Sequence, residues 1–209
     1  MPNITGPALT FPTAAFQGAA SGAPTGIARE VNFSDLLGRY STMVKAGRVF
    51  YTSTIVTAPV IFSTGAQLGP ILWNKGGSGI DAHILALCVG APTTATTVAG
   101  ALGFATTNQS TLPTSQAALT VVNAYAGGGT SQLASVGTGG TVIVLPVPVF
   151  LPVLTVNTGA ITVATMQQTF TDVGGLVVVT PGCAGYVCAS ATMTNGVFTL
   201  GVVWAELPN

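Results

Sequence analysis

Charged side chains are the scarcest feature of this sequence. Only 5% of its 209 residues are Asp, Glu, Lys or Arg, and the formal net charge is +0. A typical soluble domain carries about 25% charged residues. A free monomer with so few charges lacks the repulsion that keeps soluble proteins apart. The composition therefore predicts that much of the surface is covered, by a neighbouring subunit or by a membrane.

The sequence does not support a membrane or a nucleic acid as that partner. No unbroken apolar run reaches the roughly 18 residues that a spanning helix needs. The best candidate, residues 142–156, contains Pro146, Pro148 and Pro152, and prolines break helices. There are five cations in all, and none follows Lys75, so a basic patch for nucleic acid is not indicated. We expect no membrane and no nucleic-acid partner.

Residues that carry out catalysis are also scarce. His83 is the one histidine, and in a strand Asp81 would lie on the same face. A triad would also need a nucleophile, and the sequence has no Gly-x-Ser-x-Gly motif. The five acids are scattered, and so are the three cysteines. We predict that Cys88 is a buried thiol and that Cys183 and Cys188 are free and buried, with a disulfide between these two as the alternative. A calcium site of backbone carbonyls with Asp81 or Asp172 stays open. We predict no enzyme, no catalytic residue, no cofactor and no metal site.

The first part of the chain differs from the rest. Residues 1–33 are rich in Pro, Gly, Ala, Thr and Ser and predict an extended arm anchored by Phe11 and Phe16; the alternative is a disordered tail. Residues 34–47 predict one short helix, with an N-cap at Ser34 and a stop at Gly47. The apolar face of that helix includes Leu37, Tyr40 and Met43.

The remaining residues, 48–209, have the pattern of an all-β domain. Short runs rich in Val, Ile, Thr and Phe alternate with Gly, Pro, Asn and Ser clusters, which is typical of a sandwich or barrel. Asn195-Gly196 predicts a tight hairpin between the last two runs. The predicted runs are 48–56, 59–62, 71–73, 82–89, 100–106, 118–123, 141–145, 149–156, 160–165, 175–180, 184–191 and 196–207.

Several of these segments resemble virion proteins of tailed bacteriophages. They are Gly38-Arg39-Tyr40, Gly47-Arg48-Val49-Phe50-Tyr51, and Leu72-Trp73-Asn74-Lys75-Gly76-Gly77-Ser78-Gly79 followed by the apolar run Ile84–Leu87. The C-terminal part, with Leu176–Gly182 and Val203–Glu206, is similar to trimeric jelly-roll proteins of phage heads. The resemblance implies a jelly-roll-like antiparallel β-sandwich for residues 48–209, with the arm and the short helix before it.

The function implied by this resemblance is mechanical. The chain would be a capsid cement or decoration protein at the virion surface, forming a homotrimer and contacting the major capsid protein. Phe11, Phe16, Leu37, Tyr40, Met43 and Trp204 are the apolar residues expected at interfaces, with Trp204 at the trimer contact or in the core. Arg39 and Arg48 are the candidates for polar contacts to the capsid. The alternatives are a receptor- or glycan-binding module of a fibre or spike, using Trp73 and Tyr125, or another head or tail accessory protein.

Overall fold

The computed structural model describes residues 40–57, 59–90, 96–97, 100–129, 134–142, 149–156, 160–161, 169–191, 193 and 197–209. The chain divides into two units, at Met1–Ala46 and Gly47–Asn209. In the first unit, helix α1 covers Ser41–Lys45, with Tyr40 at its N-cap position. The backbone of Gly47, just beyond, has a φ of 69°, as the predicted helix stop requires. The predicted arm and residues 34–39 of the predicted helix lie outside the described residues.

The second unit, which we call the body, is built almost entirely of β-strands. Its described strands are β1 (Val49–Thr57), β2 (Ile71–Asn74), β3 (Ile80–Gly90), β4 (Thr96–Thr97), β5 (Gly100–Asn108), β6 (Ala117–Ala118), β7 (Val122–Asn123), β8 (Ser135–Thr138), β9 (Val149–Val156), β10 (Ala160–Ile161), β11 (Thr169–Val179), β12 (Cys183–Ala189) and β13 (Val197–Pro208).

These strands form two antiparallel sheets that pack on each other. The five-stranded sheet has the order β11-β3-β13-β1-β7, and the six-stranded sheet has the order β6-β8-β2-β12-β5-β9. A separate pair joins β10 and β4. The prediction of an all-β sandwich is therefore confirmed.

The order in which the strands pair defines the topology. Strand β1 pairs with β13, β2 with β12, β3 with β11, and β5 with β9, so the pairs are nested like one long hairpin. That hairpin is rolled up, because β13 also pairs with β3 and β12 also pairs with β5. Nested pairs divided between two sheets in this way give the jelly roll.

The main core lies between the two sheets. Strand β13 contributes Phe198, Leu200, Val202 and Trp204, all at most 1% exposed, from alternate positions that face the second sheet. The rings of Trp204 and Phe50 lie 5.9 Å apart, tilted by 32°. Strands β3, β5 and β12 complete this core with Ile84, Leu87, Val89, Leu102, Phe104 and Val187.

Some of the predicted strands were wrong. Residues 59–62 are not a strand, and there Ile61 forms one isolated bridge to Ala189. Strand β11 begins at Thr169 rather than at 175. It continues through a bulge between Asp172 and Val177, where Gly174 and Gly175 have positive φ. The predicted hairpin at Asn195-Gly196 is also wrong, since β12 and β13 belong to opposite sheets. Alternation along a chain identifies strands, but it does not identify their neighbours.

Candidate functional site

The outer surface of the five-stranded sheet, which we call the open face, has small side chains at its centre. Residues directly opposite each other on antiparallel strands point to the same side of the sheet. One row across it is formed by Phe170, Cys88, Gly201 and Ser53, on β11, β3, β13 and β1. In the adjoining row, Gly90 lies opposite Thr199, and Thr199 lies opposite Ile55. Glycine occupies a central position in both rows.

A cavity of about 340 Å³, the trough, lies over these small residues. A Cβ atom added at Gly90 would lie 2.9 Å from the Cβ atom of Thr199, so the strands leave no room for a side chain there. At Gly201 an added Cβ atom would lie 3.1 Å from the carbonyl oxygen of Thr52. Both glycines therefore allow close packing of the sheet and also keep the trough open. The residues that line it are Tyr51, Thr52, Ser53, Cys88, Gly90, Phe170, Thr199, Gly201, Val202 and Val203.

Large apolar side chains stand on both sides of the trough. On one side, Phe170 is 64% exposed. On the other side, Tyr51 is 43% exposed and Ile55 is 67% exposed, and Val122 continues this ridge from β7. An antiparallel sheet whose outer face meets water normally carries polar residues there. Clustered apolar side chains on such a face are typical of an interaction surface.

Among the described residues, none of those that line the trough is charged. The nearest acid on the neighbouring edge strand is Asp172, two residues beyond Phe170. Its Oδ1 atom accepts a hydrogen bond of 2.7 Å from the backbone N–H of Gly174, at the bulge. Exposed Asp172 lies in the same row as Ala86, Val203 and Tyr51, so an acidic side chain stands at the edge of the open face.

The outer face of the six-stranded sheet has a different cover. Six buried residues form a second core there: Ile71, Ala105, Val142, Ala184, Tyr186 and Cys188. Phe62 packs on this core from the segment after β1, and the hydroxyl of Tyr186 donates to the carbonyl oxygen of Phe62 over 2.9 Å. Gln67, which is 1% exposed, holds that segment by donating to the carbonyl oxygen of Ile61 over 3.1 Å. The chain thus covers this face with its own residues.

Burial also changes the pKa values of titratable side chains on the outer faces of both sheets. In the second core, burial raises the pKa of the Cys188 thiol. Burial raises the pKa of Tyr186 as well, and the neighbouring Cys188 adds to that effect. At the trough, partial burial raises the pKa of the Cys88 thiol. Each of these groups is held in its neutral form, as apolar surroundings require.

Of the eight residues expected at interfaces, the structure describes four. Trp204 is fully buried in the main core, so its assignment to an interface was wrong and the core alternative is correct. Arg48 is exposed, and its Nη1 atom donates to the carbonyl oxygen of Glu206 over 3.4 Å. Tyr40 and Met43 are partly exposed at helix α1. The other expected residues, Phe11, Phe16, Leu37 and Arg39, lie outside the described part of the chain.

Sequence reasoning missed the residues that make up the open face. Tyr51 and Ile55 belong to an alternating run on β1, in which Phe50, Thr52 and Val56 are the buried partners. Large apolar residues occur at both the odd and the even positions of that run. Alternation alone therefore could not show which of the two sets faces the core. For Phe170 there was no signal, since residues 169–174 were not recognised as part of a strand.

Asp81 and His83 lie on the same strand, β3, as predicted, and both are partly buried. His83 lies opposite Ala205 on one side and Val178 on the other. The Oδ1 atom of Asp81 is buried without a hydrogen-bond partner. The neighbours of His83 across the sheet therefore carry no group that could act as a nucleophile or take up its proton.

The two aromatic residues considered for glycan binding occupy different environments. The indole Nε1 of Trp73 donates to the carbonyl oxygen of Gln109 over 2.8 Å, and its ring packs against the second core. Tyr125 is 48% exposed, in the turn after β7. Trp73 is thus partly buried and held in place by this hydrogen bond and by its packing, whereas Tyr125 is the more accessible of the two rings.

The cysteines are all free, as predicted. Cys183 and Cys188 stand at odd and even positions of β12 and so point to opposite faces of the sheet. Cys88, expected to be buried, is partly exposed at the trough. Among the described residues, no group of three or more His, Cys, Asp or Glu side chains could hold a metal ion. In the same part of the chain, no helix is long and apolar enough to cross a membrane.

Comparison of the chain with protein-family models, with curated proteins and with solved structures found no match in any of the three.

Proposed function

We propose that this protein is a structural subunit of a larger assembly, in which its open face is covered by another protein chain. The role is mechanical, and we expect no catalytic activity. The body provides a rigid jelly roll, and its surfaces bind neighbouring subunits.

The observation that carries this proposal is the contrast between the two outer faces of the sandwich. The six-stranded sheet has its outer apolar residues buried under the segment that contains Phe62 and Gln67. The five-stranded sheet leaves Tyr51, Ile55 and Phe170 exposed around an uncharged trough. Exposed apolar patches of this kind mark contact surfaces. The low fraction of charged residues in the whole chain also favours a covered surface, because the centres of protein interfaces are depleted of charged residues.

The more specific proposal is a cement or decoration protein on the capsid surface of a tailed bacteriophage. It would act as a homotrimer and contact the major capsid protein. Two features support this reading. One is the resemblance of Gly38–Tyr40, Gly47–Tyr51 and Leu72–Gly79 to phage virion proteins. The other is the jelly-roll topology, which occurs among viral capsid domains. Fold alone does not imply function.

The alternative of a receptor- or glycan-binding module is less well supported. Its two candidate stacking residues are Trp73 and Tyr125. Trp73 packs on the second core and donates its indole hydrogen to Gln109, whereas Tyr125 is 48% exposed. Another accessory position in the head or tail would use the same open face, and it differs from the cement role only in the partner.

Two measurements on the purified full chain test the proposal. Light scattering and native mass spectrometry should give a mass near three times the 20.8-kDa chain mass. Cosedimentation with undecorated capsid shells of a tailed phage should show saturable binding. A monodisperse monomer that binds no shell would contradict both the assembly role and the capsid role.

A further inference from the structure

We propose that the open face binds a segment of another protein in which an apolar side chain fills the trough and a neighbouring Lys or Arg pairs with Asp172. This inference rests on the proposed function and specifies the chemistry of the partner segment that covers the sheet. It concerns only residues of the body.

Asp172 stands beside the trough on the edge strand β11. It lies two residues from Phe170, which is about 7 Å along a strand, and both side chains point to the open face. The carboxylate is exposed, and its Oδ1 atom accepts from the backbone N–H of Gly174. Two carboxylate oxygens can accept about four hydrogen bonds in all, so this bond leaves capacity for a donor from a partner. An apolar side chain in the trough therefore brings its chain neighbours within reach of Asp172.

The charged groups of the five-stranded sheet favour a basic partner. Its described strands contain three acids, Asp81, Asp172 and Glu206, and no Lys or Arg. Glu206 is only 5% exposed, so it does not act on the open face. Asp81 and His83 alternate with buried residues of β3 and lie on the outer side. The open face thus carries two acids and one histidine, which attract a basic group and repel an acidic one.

The aromatic rings at the trough favour the same pair of side chains. Tyr51, which is 43% exposed, and Phe170, which is 64% exposed, both line the cavity of about 340 Å³. Aromatic rings pack well against an apolar anchor. The face of such a ring also attracts an Arg or Lys cation within about 6 Å of its centre. A partner segment with an apolar residue next to a base therefore matches both the trough and its acidic edge.

The charges also disfavour contact between the open faces of two copies. Each face would bring Asp81 and Asp172 toward the other, and no Lys or Arg of the five strands could pair with them. Like charges brought together across an interface oppose binding. The base that meets Asp172 has to come from a different surface, which we assign to another protein.

Two synthetic peptides that differ in one residue provide the first test. One carries a Phe-Lys pair and the other a Phe-Glu pair, each flanked by glycines and serines. Titration calorimetry on the full chain should show that the Phe-Lys peptide binds about tenfold more tightly. Raising the salt concentration to about 0.5 M should reduce this preference to about twofold. Because Cys88 lines the trough, the bound peptide should also slow its labelling by N-ethylmaleimide.

Substitutions of Asp172 assign the preference to one carboxylate. Asp172→Asn keeps a side-chain oxygen for the N–H of Gly174 and should lower the affinity for the Phe-Lys peptide about fivefold. Asp172→Lys should reverse the preference, so that the Phe-Glu peptide binds more tightly. Asp81→Asn is the matched control, because Asp81 lies about 15 Å along β3 from the position opposite Asp172. It should change the affinity less than about twofold, since salt screens charges over that distance.

The outcomes separate this inference from the proposed function. Equal affinity for the two peptides, or binding of neither, would overturn the inference and leave the assembly role intact. A wild-type oligomer that already protects Cys88, and that Asp172→Lys does not change, would show a second copy in the trough and would also overturn it. A monomer that binds no capsid shell would contradict the proposed function, even where the peptides behave as expected.

Discussion

The side-chain amide of Asn74 donates a hydrogen bond of 2.9 Å to the carbonyl oxygen of Val179, and so joins the two sheets of the sandwich. Asn74 ends β2 in the six-stranded sheet, and Val179 ends β11 in the five-stranded sheet. The same Nδ2 atom donates to the carbonyl oxygen of Ile80 over 2.8 Å. Its Oδ1 atom accepts from the hydroxyl of Ser78 over 2.6 Å.

Replacing Asn74 with Ala should lower the free energy of unfolding by about 3 kcal/mol, because two buried carbonyl groups then lose their donor. Urea unfolding followed by tryptophan fluorescence measures the change. Ser78→Ala removes the 2.6 Å hydrogen bond to Asn74 and two long contacts of 3.4 Å with the backbone of Ile80, and should cost about 1 kcal/mol. Equal effects of the two substitutions would contradict the role of Asn74 as the link between the sheets.

Trp73→Ala should destabilise the body rather than abolish the binding of a ligand. The substitution removes a large ring from the second core, which should lower the free energy of unfolding by about 3 kcal/mol. Trp73→Phe keeps most of the packing and loses the hydrogen bond to Gln109, at a cost of about 1 kcal/mol. Glycan-array binding that Trp73→Phe removes without any loss of stability would instead support the carbohydrate-binding alternative.

Alkaline pH should weaken the second core. Burial raises the pKa of Cys188 above its ordinary value, so the unfolded chain loses this proton at lower pH than the folded chain. The stability contributed by the neutral thiol is therefore complete below the ordinary pKa and is lost as pH rises toward the folded pKa. Between about pH 8 and about pH 10, unfolding free energy should fall by about 2 kcal/mol from this group.

Cys188→Ala supplies the control for that pH dependence. The variant has no thiol at this position, so most of the decrease should disappear from its own pH profile, whatever its stability at neutral pH. Equilibrium unfolding at each pH is the measurement. Identical slopes for the variant and the wild type would rule out the Cys188 thiol as the source.

Deleting residues 1–28 tests the predicted arm. Both sheets belong to the unit Gly47–Asn209, so the truncated chain should keep the midpoint of thermal unfolding within a few degrees. Its affinity for capsid shells should fall at least about tenfold if Phe11 and Phe16 anchor the arm. Unchanged shell binding would show that the body alone makes the contact.

Much of the fold could be predicted from local pattern. The runs at 48–56, 82–89 and 149–156 correspond closely to β1, β3 and β9, because strand propensity and turn residues are local properties. Strand pairing was harder, as the Asn195-Gly196 prediction shows. The partners of β13 lie far away in the sequence, at β1 and β3, and no local signal encodes such pairing.

The candidate site was much less predictable than the fold. Trp204 was predicted to lie at the trimer contact or in the core, and it lies in the main core. Phe170 lies between two predicted runs, 160–165 and 175–180, whereas in the structure it belongs to β11, which contains Gly174 and Gly175. A bulge of this kind keeps the strand paired in the sheet, but it interrupts the alternation of apolar and polar residues by which a strand is recognised in a sequence.

The sequence by itself determined that the chain forms an all-β body with few charges. The charge follows from composition, and the strands follow from local alternation and turn residues, so neither depends on which segments meet in the fold. Only the tertiary structure decided which surface stays open. Both faces of β1 and β13 carry residues that can be buried, so the choice depends on what covers each sheet. The segment of Phe62 and Gln67 covers the six-stranded sheet, and the ridges of Tyr51 and Phe170 are left around an uncharged trough.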